Sequence, residues 1–142
     1  RALKTLKKAV RRHPKDASVL NTLGVSLMFA ARQKDQVAEH REVYQRAASH
    51  VFAQALEHLG DLREEEPDIV ANAALADRYL ESMRLNQRGV QLDLENRWDE
   101  AAHAFAGALA AGPRYDALLA NNLGTVLFKN ATHRSRSWRE AA

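Results

Sequence analysis

The chain has 142 residues, 46% of them apolar and 27% charged, proportions that suit one ordinary domain or one short array and exclude a low-complexity tail. Without a cysteine it has no disulfide or thiolate metal site, and no apolar run approaches the roughly eighteen residues of a membrane-spanning helix. The formal charge of +3 is unevenly spread: residues 1–15 carry seven Lys or Arg and no acid, residues 129–142 carry four against Glu140 alone, and the acids concentrate between them.

Only six glycines and three prolines interrupt a sequence rich in Ala, Leu, Glu and Arg, which predicts an all-helical protein. Arg1–Arg12 reads as the first helix, with Ala2, Leu6 and Ala9 at helical spacing and Pro14 forbidding continuation. A second helix carries Leu23-Gly24 and Leu27. Residues 36–64 read either as two helices broken near Ser49 or as one helix whose stripe is Val37, Tyr44, Ala48, Val51, Ala55, Leu59 and Leu62. The break is favoured, because it keeps Gly24, Gly60, Gly89 and Gly124 on parallel, equivalent elements. Leu59-Gly60, Ala71 and Leu75 then belong to the next pair.

The clearest unit runs from about Met83 to Pro113. After Gly89 the chain turns at Asn96-Arg97, and a helix opens at Trp98 with Asp99 and Glu100 in its first turn, where acids complement the macrodipole. Ala101, Phe105 and Ala108 form its inner stripe and Pro113 ends it. Leu123-Gly124 and Leu127 follow on another helix, then a loop over Lys129–Trp138, and Trp138-Arg-Glu-Ala-Ala echoes Trp98-Asp-Glu-Ala-Ala.

The four glycines Gly24, Gly60, Gly89 and Gly124 recur at intervals of 36, 29 and 35 residues. A glycine inside a helix costs about 0.5–1 kcal/mol relative to alanine, so a regular series predicts places where a neighbouring helix comes too close for a side chain. A period near 34 residues is the mark of a helical repeat.

Ala101, Phe105, Ala108 and Pro113, repeated as Ala2, Leu6, Ala9 and Pro14, together with Leu-Gly and the leucine three residues on, resemble the tetratricopeptide repeat family. The resemblance is strong at 1–31 and 83–128 and weak between, and leucine replaces the usual aromatic after Gly24 and Gly124. It implies an α-solenoid, a right-handed superhelix of about three and a half antiparallel hairpins, divided at 1–14, 15–49, 50–81, 82–114 and 115–142. The opening and closing residues then read as second helices cut from a longer array. Their apolar seams, Leu3, Leu6, Val10 and Trp138, are expected to be exposed and to favour self-association.

The resemblance further implies a concave groove that binds a protein or peptide segment. Its positions map to Asn21, Val25 and Met28; Glu57, Asp61 and Glu64; Asn86, Val90 and Asp93; and Asn121, Asn122, Thr125 and Phe128. Three rungs start with asparagine, whose amide donates and accepts at once and so suits a peptide backbone. Glu57, Asp61, Glu64 and Glu65 form an acidic stripe that suits a basic or amphipathic partner or is a solvated face balanced by Arg63. Phe29 and Phe128 are further apolar contacts, and Trp98 and Trp138 are expected to cover their hairpins. The basic clamp with which the family holds an acidic chain terminus is missing, since Val25, Asp61, Val90 and Thr125 follow the glycines.

No catalytic constellation emerges. The six histidines have no metal-ligand spacing, His58 and Asp61 are ordinary neighbours on one face, and neither a phosphate loop nor a nucleophile elbow occurs. A non-catalytic scaffold without metal or cofactor is therefore expected. The alternative is a regulatory or adaptor region of a larger enzyme or nucleic-acid-binding protein. Nucleic acid is disfavoured, because the basic clusters lie at opposite ends, no aromatics interleave with them and the acidic middle repels a strand. Lacking a targeting or membrane-spanning segment, the chain is expected in the cytoplasm.

Overall fold

The computed structural model describes residues 1–33, 36–114 and 116–142, and among these every regular element is helical. The helices are α1 (Ala2–Arg12), α2 (Ala17–Ala31), α3 (Ala38–Leu59), α4 (Pro67–Leu94), α5 (Trp98–Ala111) and α6 (Ala117–Ala141), with a 3₁₀ turn at Gly60–Glu65 between α3 and α4. The chain forms two compact units, Arg1–Leu80 and Glu81–Ala142, whose boundary falls inside α4.

Local chemistry accounts for most of the boundaries. Asp16 caps α2 by accepting hydrogen bonds from the backbone N–H of Ser18 at 3.0 Å and Val19 at 3.2 Å, and Asp116 caps α6 by accepting from Leu119 at 3.1 Å. Replacing either aspartate by alanine is expected to cost about 1 kcal/mol of stability, measured by urea unfolding. Pro67 opens α4 at the first helical position, where its missing N–H is no loss. Asn96 makes the expected turn before Trp98 with φ 58°, a left-handed conformation that asparagine tolerates.

Three sequence expectations about helix ends are corrected. No break occurs near Ser49, because nothing between Ala38 and Leu59 stops a helix; Ala48, Val51 and Ala55 of the long stripe are buried, whereas Val37 and Leu62 lie exposed at its ends. Gly60 is not inside a helix but closes α3 with φ 53° and ψ −120°, a conformation only glycine adopts without strain. Residues 129–138 form no loop, and α6 runs through Trp138 without a new start. α4 is continuous through residues 81 and 82.

In the first unit Leu20, Leu23 and Leu27 of α2, Ala48, Phe52 and Ala55 of α3, and Ile69, Ala73 and Ala76 of α4 form the core. Leu3, Leu6 and Val10 of α1 pack against it, so that stripe is not the open seam the sequence suggested. In the second unit Leu92, Ala101, Ala104, Phe105 and Val126 form the core, with Trp98 and Leu123 against it.

Two of the four glycines are close-approach sites. A Cβ on Gly24 would lie 2.6 Å from the Phe52 ring, and one on Gly89 would lie 2.6 Å from the Phe105 ring. The close neighbour is thus an aromatic ring from the following helix, not its backbone. Around Gly60 and Gly124 nothing lies within 4 Å.

Candidate binding face

In the first unit, α2 and the start of α4 present one partly apolar face. Asn72 Nδ2 of α4 donates to Asn21 Oδ1 of α2 at 3.0 Å, tying the helices where the face begins. Beyond that bond Val25, Met28, Phe29, Leu75 and Tyr79 surround a hollow of about 390 Å³, and the Arg32 guanidinium stands 5.6 Å over the Tyr79 ring at its far end. A second hollow of about 410 Å³ opens on the other side of α2 against Ala2 and Leu3 of α1. Val25 and Phe29 line both hollows, and Phe29 is 69% exposed. A side chain that large left in water beside two apolar hollows is a ready anchor for an apolar partner.

Of the residues expected on the first rung, Asn21 and Val25 sit on this face and Met28 forms its floor, 8% exposed. The second rung is not here. Glu57 ends on α3 while Asp61 and Glu64 belong to the 3₁₀ turn, all exposed, because Gly60 terminates a helix instead of sitting inside one. Asn72, Leu75 and Tyr79 take the place opposite α2. The sequence reading keyed on glycine and passed over Asn72, although an asparagine one turn ahead of Leu75 and Tyr79 repeats the polar-then-apolar order of Asn21, Val25 and Met28.

The second unit builds the same contact with different chemistry. Asn122 Nδ2 of α6 donates to Asn86 Oδ1 of α4 at 3.1 Å. Seven residues after each acceptor, where the first unit has Met28, stands Asp93, and Lys129 Nζ binds its two carboxylate oxygens at 2.7 and 2.8 Å. An ion pair therefore fills what is an apolar hollow in the first unit. Val90 remains 43% and Phe128 73% exposed, and Asn121 and Thr125 lie outside on α6, where the Thr125 hydroxyl donates to the Asn121 carbonyl oxygen.

An exposed polar cluster surrounds the α4–α5 turn and reaches α6. Arg97 binds Glu100 at 2.6 Å and Glu95 at 3.0 Å, and these bonds raise its pKa. Glu95 is held below its ordinary value by hydrogen bonds from Gln91 and then Arg97. Asn130 Nδ2 donates to Asp99 at 2.5 Å and Arg134 reaches both Asp99 oxygens at 3.0 Å, which together hold that carboxyl below its ordinary 3.8. A depressed carboxyl contributes fully above its unfolded value and loses its contribution as pH falls through the folded one. Acidification is therefore expected to loosen α6 from the start of α5. Asn130→Ala should move the Asp99 titration, followed by carboxyl carbon NMR, upward; an unmoved titration would assign the shift elsewhere.

Trp98, expected to cover its own hairpin, packs edge-on against His133 of α6, ring centroids 5.3 Å apart. Trp138, expected to do the same, is 79% exposed. Among the described residues no three His, Asp or Glu side chains gather to hold a metal, and no helix is long and apolar enough to cross a membrane. Compared with known proteins, the chain matches no family model, no curated sequence and no solved structure.

Proposed function

We propose that this chain is a non-catalytic interaction scaffold of tetratricopeptide-like hairpins, stacked as an α-solenoid, that holds a peptide or helical segment of a partner protein on the face of α2 and α4. The observation that carries this reading is Phe29, largely exposed between two apolar hollows and next to an amide pair. The recurring seats of Phe52 on Gly24 and Phe105 on Gly89 support the hairpin repeat.

An asparagine pair joined by one hydrogen bond keeps donors and acceptors for a ligand backbone, while the hollows take apolar side chains. Because helices position these groups before binding, little ordering entropy is lost on docking. The partner's anchors are apolar. The exposed carboxylates of Glu57, Asp61 and Glu64 stand on other elements and are solvated.

The test is selection of binding peptides from a displayed library on the wild-type chain, followed by affinity measurement on Phe29→Asp. That substitution is at an exposed site and should weaken the selected peptides by roughly tenfold to a hundredfold. Exchanging Glu57, Asp61 and Glu64 for Gln should leave affinity within about twofold at exposed, screened sites. Equal affinity for wild type and Phe29→Asp would remove this face as the binding site.

A further inference from the structure

The interval that carries Asn21, Gly24 and Val25 of α2 onto Asn86, Gly89 and Val90 of α4 also carries Arg32 onto Arg97. The two arginines have different surroundings. Arg97 is held by carboxylates of its own unit, Glu100 at 2.6 Å and Glu95 at 3.0 Å. In α2 the place of Glu95 is taken by Ala30. Arg32 is exposed and in no ion pair among the described residues, and its guanidinium stands 5.6 Å over the Tyr79 ring. The same interval carries Met28 onto Asp93, so the second unit sets a carboxylate bound by Lys129 where the first has the floor of its hollow. Among the described residues that line this hollow, Arg32 alone is charged.

We infer that the segment held on the face of α2 and α4 brings an Asp or Glu side chain about one helical turn from its apolar anchor, and that Arg32 receives it. This rests on the reading of the Phe29 face above and adds the charge its occupant must carry. Phe29 and Arg32 both line the hollow and stand three residues apart, about 4.5 Å along the helix, so an anchor beside Phe29 leaves a neighbouring carboxylate within reach of the guanidinium. A guanidinium that stacks on a ring keeps its N–H edges for a bidentate carboxylate and has less freedom left to lose on binding. The surroundings fix the sign. Residues 1–33 carry eight Lys or Arg against Asp16 alone, and that carboxylate is taken up in capping α2. A basic segment meets like charge here, and an uncharged apolar one covers Arg32 without compensating it. The second unit supplies its acids from within; the first leaves the acid to the partner.

The probes are two displayed libraries of linear peptides, alike at their apolar and neutral positions, with Asp and Glu as the only charged residues in one and Lys and Arg in the other. The wild-type chain should enrich the acidic library and Arg32→Glu the basic one. For an acidic peptide whose binding Phe29→Asp weakens, Arg32→Gln should lower affinity about tenfold, and so should exchange of the peptide's acid for its amide. The two changes together should cost no more than either alone, since both remove one contact. Arg32→Lys, which keeps the charge and loses the fork, should fall between. Arg32 is exposed, so its variants fold, and thermal melts check this. Amidating the peptide's C-terminus, or exchanging Lys4, Lys7 and Lys8 for Gln, should change affinity by less than about threefold. Peptides that depend on Phe29 but show no preference for acids and bind Arg32→Gln equally well would overturn the inference and leave the face itself in place. A loss on amidation as large as that from Arg32→Gln would overturn it by assigning the carboxylate to a chain end. An acid preference that follows the α1 lysines instead of Arg32 would overturn it by assigning the effect to the general field. Peptides indifferent to Phe29→Asp would remove the face, and the inference with it.

Discussion

Truncating Phe52 or Phe105 to alanine is expected to lower the unfolding free energy by about 3–5 kcal/mol, a large part of the total for a chain this size. Both rings are all but sealed, at 0% and 1% exposure. Each lies on a glycine, so the vacated space is bounded on that side by backbone, with no side chain able to swing in. The loss should therefore sit near the upper end of the range for an aromatic. Urea unfolding with hydrogen exchange resolved to each unit measures it, and a loss below about 1 kcal/mol would mean that the rings do not anchor their cores.

The second large effect is a change of sign among three glycines that share one sequence setting, Asn-x-x-Gly. Gly24→Ala and Gly89→Ala drive a methyl to within 2.6 Å of a buried ring and should destabilise by about 1–3 kcal/mol. Gly124→Ala meets nothing and removes the helix penalty of glycine, so it should stabilise by about 0.5–1 kcal/mol. Thermal melts of the three variants suffice. Destabilisation by all three would show that Gly124 is also packed.

Helices whose ends are written in local chemistry were legible. Pro14 and Pro113 stop α1 and α5, Trp98-Asp99-Glu100 starts α5, and the Ala and Phe spacing marks the buried stripe of α5. Gly60 was misread because a glycine that ends a helix and a glycine that admits a ring look alike in one dimension. The distinguishing signal was Pro67, seven residues on, which announces a new start and leaves the intervening acids to a turn. With Gly60 misplaced, an extra break at Ser49 was needed to restore alternation, although serine stops no helix by itself. The end of α6 was read as a loop, yet Lys129, Asn130 and Arg134 each find an aspartate on α4 or α5. Such long-range bonds have no local trace.

For the binding face, the family resemblance pointed to Asn21, Val25 and Asn86 but could not reveal their partners. Asn122 was already among the expected groove positions and Asn72 was passed over, but the pairing of Asn21 with Asn72 and of Asn86 with Asn122 emerges only once helices far apart in sequence are adjacent. Nor does composition disclose that one unit leaves an apolar hollow where the other places Asp93 and Lys129.

A ring pressed on a glycine also sets the sliding position of its helix. If α5 shifted along α4 by one residue, Phe105 would face Arg88 or Val90, and the alanine stripe would lose its fit as well. Because misregistered pairings are penalised where a buried ring must meet a glycine, the pairings of α2 with α3 and of α4 with α5 are each biased to one register. A chain rich in interchangeable alanines and leucines thereby avoids a family of near-equal alternatives.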